Sequence, residues 1–229
     1  MVVMGKSNSS NPLEIVADDS HRQHVFKRLS NYTAAEAANR IENYMKFMFV
    51  RHPFERLLSS YRNKFSPTYA TSQYFRDRFG KQIIRQFRSH PSNESLERGH
   101  DVTFQEFVQY IIDPKTTART VYNEHWRSMS DLCRPCRIHY DIVGKYETLD
   151  DDARLVLDRA NLSRLVRFPQ SDRGSVTGKL VDHYLKNLTH QQLYNLYHVY
   201  ELDFRLFDYK YEPAKWTAAH SQSQELTAQ

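Results

Sequence analysis

With 229 residues, 40% of them hydrophobic and 13% aromatic, the chain has enough apolar material for one α/β domain with a packed interior, which excludes disorder throughout. Its net charge of +5 and pI near 9.1 come from basic residues spread along the whole length, which suits an anionic ligand better than a Lys/Arg arm laid on nucleic acid. It holds no apolar run of about 18 residues, and MVVMGKSNSS has no apolar stretch of signal-peptide length, so a literal reading expects a soluble, untargeted chain. Two features pull the other way. Asn-x-Ser/Thr recurs at Asn8, Asn31, Asn93, Asn161 and Asn187, an excess that suggests a secretory lumen, although chance and the turn preference of Asn and Ser also produce such triplets. The first residues also begin inside what reads as an apolar helical turn without a cap, so upstream sequence is expected.

Thr33-Ala-Ala-Glu36 is a capping box, in which each side chain answers the other's backbone N–H, and a helix is expected over about 34 to 43. Phe47 to Val50 is a continuous apolar run, the pattern of a parallel strand covered by helices on both faces. Pro53 suits a first helical position, where its missing N–H has no partner to lose. Phe54, Leu57, Leu58, Tyr61 and Phe65 then share one stripe of an amphipathic helix. Residues 66 to 100 are basic and irregular, broken by Pro67, Pro91 and Gly99, with helix expected in part between Gln73 and Phe87. A second capping box, Thr103 to Glu106, opens a core helix on Phe104, Phe107, Val108, Ile111 and Ile112 that Asp113-Pro114 closes. Tyr140 to Tyr146 reads as a strand, Thr148 to Ala160 as the helix after it, and 189 to 200 as a last helix on Leu193, Leu196, Tyr197 and Tyr200. One domain is expected over 1 to 213, with 214 to 229 a frayed tail.

A strand that ends at a helix N-terminus aims unpaired N–H groups and the positive end of the helix dipole at one spot, where an anion is stabilised. Arg51 adds a guanidinium fork for two phosphate oxygens there, and Ser59, off the oily stripe, adds a hydroxyl. The same residues allow a plainer reading, in which Arg51 pairs with Glu55 and Ser59 is an ordinary helix residue. Other phosphate signatures fail. Gly174-Ser-Val-Thr-Gly178-Lys179-Leu180 has one residue too few between its glycines for a Walker loop, and Leu stands where a magnesium-holding hydroxyl is required.

Three stretches in order, VRHPFERLLSSYRNKF (50 to 65), YNEHW (122 to 126) and LCRPCRIHYDIVGKYETLDDDA (132 to 153), closely resemble the Golgi carbohydrate sulfotransferases of the chondroitin and dermatan 4-O-sulfotransferase group. The likeness runs from about Asn11 to Tyr209. It implies an α/β fold like that of the P-loop nucleotide kinases, with a parallel sheet flanked by helices and strands feeding phosphate-binding turns. It implies 3′-phosphoadenosine 5′-phosphosulfate as donor, Arg51 and Ser59 on its 3′-phosphate, no metal, and an acceptor hydroxyl on N-acetylgalactosamine in an anionic glycosaminoglycan. It further implies the Golgi lumen and a type II membrane protein. Relatives carry a membrane anchor, a stem, and a first strand with a Lys-containing loop for the 5′-phosphosulfate ahead of the part seen here. The expectation is therefore an N-terminally incomplete sulfotransferase that transfers no sulfate as residues 1 to 229 alone. His52 stands where relatives often carry an acidic residue, which makes this turn more basic.

In-line sulfuryl transfer, like phosphoryl transfer, rests on positioning and charge stabilisation, and a general base must take the hydroxyl proton. His125 in YNEHW is the first candidate, since an imidazole titrates near a mildly acidic lumenal pH. A His packed on Trp126 for structure is the alternative, with His139 and Glu147 in reserve. Cys133-Arg-Pro-Cys136 reads as a redox pair, as half of a zinc site with His125 and His139, or, favoured in an oxidising lumen, as a local disulfide shaping the turn. Arg76, Arg78 and Arg85 are candidate contacts for a polyanionic acceptor, against the default of solvated helix faces. The rival to an enzyme is a non-catalytic protein holding heparin-like glycans or nucleic acid on the same basic surface, although no nucleic-acid partner is expected.

Overall fold

Residues 26–66, 72–119, 122–169 and 176–217 are described by the computed structural model. Its chain divides into two units, one of Met1–Phe49 with Pro135–Ser171 and one of Val50–Arg134 with Asp172–Gln229. Asn8 and the uncapped first turn expected at the start lie outside the described residues.

In the first unit the capping box forms as its spacing requires. Glu36 N donates to Thr33 Oγ1 over 3.3 Å and Thr33 N to Glu36 Oε2 over 2.9 Å, opening α1 (Ala34–Asn43). Strands β1 (Phe47–Val50) and β2 (Ile142–Lys145) pair as a two-stranded parallel sheet, the only sheet among the described residues. Asp141 fixes their register at the entrance, where its carboxylate accepts Lys46 N over 2.6 Å and its own N–H donates to Lys46 O over 2.8 Å. Gly144 is required by contact, since a Cβ there would stand 2.5 Å from the Phe49 ring. A 3₁₀ turn, Tyr146–Thr148, leads into α9 (Leu149–Arg159), and Asp152 ties strand to helix by accepting Lys145 N at 2.7 Å and Thr148 Oγ1 at 2.6 Å. The expected burial of β1 on both faces is corrected: Met48 and Val50 are 6% and 2% exposed, whereas Phe47 is 48% exposed. A continuous apolar run fits both cases. Here Phe47 and Phe49 pack edge to edge on the opposite face from Met48 and Val50, with centroids 6.2 Å apart.

The second unit is helical. Helix α2 (Pro53–Phe65) buries Phe54, Leu57, Leu58 and Phe65, the stripe its spacing predicts. After it come α3 (Ser72–Phe75), a π turn over Arg76–Gly80, and α4 (Lys81–Phe87), so the helix expected in this stretch is real but widened in the middle. Gly80 lies there against the backbone of Gly99, which has φ 59° and caps α5 (Asn93–Arg98); no side chain fits between them. Arg88, just after α4, bonds Glu106 at 2.7 and 2.8 Å and Asp101 at 2.6 Å, cross-linking α5 to the second capping box at the head of α6 (Phe104–Ile112). Short helices α7 (Pro114–Arg119) and α8 (Met129–Cys133) follow, then α10 (Val176–Leu185) and α11 (His190–Leu206). Trp126, Tyr200, Phe54, Phe107 and Phe204 are the largest fully buried side chains.

Two sequence boundaries move. Helix α11 continues six residues past Tyr200, because Asp203, 2% exposed, is an interior residue whose carboxylate accepts Met129 N at 2.7 Å and Ser130 N at 2.8 Å at the head of α8. The frayed tail cannot begin at 214. Residues 214–217 are helical, Trp216 is buried, and its Nε1 donates to Asp182 Oδ1 over 2.7 Å. Residues 218–229 lie outside the described residues.

Candidate functional site

Two residues separate β1 from α2. His52 is the N-cap of α2 and offers no side-chain cap to it; its ring instead packs edge-on against Phe54, Phe204 and Tyr209 at 5.3 to 5.9 Å. Arg51 Nη2 and Nε lie 3.3 and 3.4 Å from Glu55 Oε2, with the two side chains only 13% and 17% exposed. The pairing that competed with phosphate binding at the level of sequence is thus made, though at distances long for a charge-assisted bond. Ser59, one helical turn past Glu55 on the same face, is half-buried and makes no hydrogen bond among the described residues. Helix α10 runs parallel to α2 alongside this face: Gly178 faces Glu55, where an added Cβ would lie 3.1 Å from Oε1, and six residues on Tyr184 meets Tyr61.

The YNEHW segment, residues 122–126, is a loop held by its carbonyls. Arg127 Nη2 donates to Tyr122 O at 2.8 Å, and Trp126 N and Arg127 N donate to Asn123 O at 3.1 and 2.9 Å. Arg56 Nη2 reaches Glu124 O at 2.8 Å and its Nη1 Arg127 O at 2.5 Å. Ser60 Oγ donates to His125 O at 2.5 Å and Tyr200 Oη to Trp126 O at 2.6 Å. Every carbonyl from 122 to 127 is therefore occupied. Burial lowers the Arg56 pKa, with Tyr200 and Asp203 opposing it, and burial raises the Tyr200 hydroxyl well above its ordinary range.

This clamp positions His125. Its ring is 38% exposed, lies edge-on to Phe75 with centroids 5.5 Å apart, and has Nε2 3.9 Å from Glu124 Oε1. Trp126 beside it is fully buried. Arg56 and Ser60 were not singled out from the sequence. The signal that could have found them is their spacing, four apart on α2 and off its apolar stripe.

The remaining candidates separate. Arg76 donates to Gln73 Oε1 at 2.9 Å and keeps a buried Nε without a partner, whereas Arg78 donates to Tyr74 Oη at 2.8 Å and lies over the Phe79 ring. Arg85 is exposed near the end of α4. His139 and Glu147 are exposed and belong to the first unit. Cys133 is half-buried and Cys136 exposed, and the turn between them is shaped by Arg134, left-handed at φ 48°, whose N–H donates to Ser130 O at 3.0 Å. Among the described residues no three His, Cys, Asp or Glu side chains gather closely enough for a metal ion, and no helix is long and apolar enough to cross a membrane. Asn31, Asn93, Asn161 and Asn187 are exposed, but the Ser95 hydroxyl of the Asn93 triplet is buried and donates to Asp101 Oδ2 at 2.8 Å.

Comparison with known proteins gives the chain a family. The pattern of the Sulfotransferase family matches residues 1–210. The chain is 44% identical to "Carbohydrate sulfotransferase 11" of Mus musculus over 210 residues, covering 91% of this chain and 59% of that protein. It is 39% identical to "Carbohydrate sulfotransferase 14" of Danio rerio over 183 residues, 79% of this chain and 48% of the relative. With "Carbohydrate sulfotransferase 8" of Homo sapiens it shares 35% over 215 residues, 91% of this chain and 49% of the relative. The chain thus spans about half the length of the curated relatives it matches. No solved structure matches it.

Proposed function

We propose, from the premise that this chain belongs to the sulfotransferase family, that it serves transfer of a sulfuryl group from 3′-phosphoadenosine 5′-phosphosulfate to an N-acetylgalactosamine hydroxyl of a chondroitin- or dermatan-type glycan. The observation that carries the reading is one helix face: Arg51 at an uncapped helix start, and the open hydroxyl of Ser59 two turns on. In this reading β1 and its turn belong to a sheet of the nucleotide-kinase kind, and the donor's 3′-phosphate takes Arg51 from Glu55. A bidentate guanidinium–phosphate contact is stronger than a 3.3 Å contact to a single carboxylate oxygen.

In the reaction the acceptor oxygen forms its bond to sulfur as the bond from sulfur to the nucleotide's 5′-phosphate oxygen breaks, and the hydroxyl proton passes to a base. His125 is that base. Its backbone is fixed by the clamp, its ring is open to solvent, and Glu124 at 3.9 Å favours the imidazolium once the proton arrives. Arg76, Arg78 and Arg85 supply positive field for the anionic acceptor. A Golgi-lumen address and N-glycans on Asn31 and Asn161 complete the proposal.

Titration of the purified chain with adenosine 3′,5′-bisphosphate tests it. Arg51→Ala is expected to weaken binding about 10- to 100-fold, the loss of a charge-assisted pair of roughly 1.5–3 kcal/mol. An unchanged affinity removes Arg51 from the site. The Arg51–Glu55 pair favours a second reading, an anion-binding protein without chemistry. That reading requires salt-sensitive glycan binding and no nucleotide binding at all.

A further inference from the structure

At the C-terminal end of α2 a cleft of about 800 Å³ opens inside the second unit, lined among others by Tyr61, Arg62, His100, Phe104, Tyr184 and Asn187. It has an aromatic wall. Tyr184 stands edge-on to Phe104 at 5.3 Å and to Tyr61 at 6.1 Å, and Tyr61 donates its hydroxyl to Val102 O over 2.7 Å. Burial pushes the Tyr61 hydroxyl up to about 12, so the wall carries no charge at neutral pH. The polar groups are few and open. Arg62 makes no ion pair or hydrogen bond among the described residues, in contrast to Arg51, Arg56, Arg76, Arg78 and Arg88. Asn187 donates Nδ2 to His183 O at 3.2 Å, which leaves its Oδ1 to accept. The carboxylate of Asp101, also in the lining, is already matched by Arg88 at 2.6 Å. His100 lies in the wall of this cleft and of a neighbouring cavity of about 520 Å³ lined by Arg76, Lys81 and Arg98 together with Asp77 and Glu97, where Lys81 is already paired with Asp77 at 2.6 Å.

An aromatic wall that can cover the C–H face of a sugar ring, amide groups for hydroxyls and one unpartnered guanidinium for a carboxylate are the components of an acidic-saccharide site. We infer that this cleft binds a uronic-acid unit of an anionic glycan, with the carboxylate on Arg62 and the ring against Tyr61 and Tyr184, as a site separate from the phosphate-binding turn. The inference takes its ligand class from the glycan reading of the function and adds where the chain is gripped. Arg62 falls three residues past Ser59 on the same face of α2, about 4.5 Å along the axis. The cleft thus holds the polymer beside the nucleotide, not at the reacting sulfur.

The test uses the purified chain, an unsulfated chondroitin hexasaccharide and its carboxyl-reduced counterpart, with affinities measured by calorimetry and folding checked by thermal melting. Arg62→Gln is expected to weaken the hexasaccharide at least 10-fold while leaving the carboxyl-reduced ligand and adenosine 3′,5′-bisphosphate unchanged. Tyr184→Ala is expected to weaken both saccharides, and Tyr184→Phe to retain them. Equal hexasaccharide affinity in Arg62→Gln and the parent overturns the inference. So does loss of nucleotide affinity in Arg62→Gln with saccharide affinity intact, which assigns the cleft to the donor. Hexasaccharide binding that depends on Arg62, with no nucleotide binding, upholds the cleft and sinks the sulfuryl-transfer reading. Nucleotide binding with no Arg62-dependent saccharide binding does the reverse.

Discussion

The two ends of helix α2 carry the same chemistry in opposite states. At its start Arg51 is drawn to Glu55 and largely hidden, while at its last turn Arg62 faces a wide cleft without an ion-pair partner among the described residues. Between them Arg56 is spent on structure, with both terminal nitrogens on carbonyls of the 122–127 loop. Three arginines from one short stretch thus stand in three settings, and what distinguishes them is the partner: a neighbour on the same helix for Arg51, carbonyls of distant chain for Arg56 and none among the described residues for Arg62. A guanidinium beside a carboxylate must be released before it can bind an anion, whereas one beside open space is ready.

The comparison can be broken most severely in the middle. Arg56→Ala leaves two loop carbonyls without donors and is expected to cost about 3 kcal/mol, a melting-temperature drop of roughly 6–12 °C for a chain this size. Arg56→Lys cannot reach both carbonyls and should recover only part of that. Next in size is Arg88→Ala, about 2 kcal/mol, because it strands Glu106, whose side chain is only 14% exposed.

That network also sets a pH dependence. Burial raises the carboxyls of Glu106 and Asp101, but the Arg88 bonds outweigh it and both end below their usual values. Groups with a depressed folded pKa stabilise above their unfolded pKa and lose that contribution as pH falls through the folded one. Urea midpoints of the parent should therefore fall more steeply below about pH 4.5 than those of Arg88→Ala.

Smaller but more informative is Glu55→Gln. If Arg51 serves the nucleotide, freeing it should tighten adenosine 3′,5′-bisphosphate binding several-fold, about 1 kcal/mol, at a slight loss of melting temperature. A lower melting temperature with unchanged binding assigns the pair to structure alone. Least affected is Arg85→Gln, at an exposed position, expected to shift melting by less than about 0.5 kcal/mol and polyanion affinity by less than twofold.

What could be read from the sequence was what is local. Both capping boxes formed at the expected residues because a Thr and a Glu three positions apart satisfy each other without help. The stripe of α2 held for the same reason. Helix α10 was not anticipated: its first residues were weighed only as a phosphate loop, and its flat apolar pattern gave no stronger signal. The last helix was expected to end at Tyr200, and its extension past Asp203 was not legible because the helix that Asp203 caps lies over 70 positions away in sequence. Of the candidate site, Arg51, Ser59 and His125 were singled out from the sequence, and their roles belong to the proposal. The clamp of Arg56, Ser60 and Tyr200 was not, because a spacing of four off the apolar stripe marks a shared helix face and says nothing of the remote carbonyls those side chains reach.

The occupied carbonyls of the 122–127 loop have a kinetic corollary. Its donors come from 65 to 74 positions away along the chain, at Ser60, Arg56 and Tyr200, apart from the Arg127 contact beside it. Closing such spans is slow and carries an entropic toll until the flanking helices have docked. The segment bearing the candidate base therefore acquires its shape late in folding and all at once, so that a half-assembled chain exposes His125 on a floppy strand of backbone with no fixed aim.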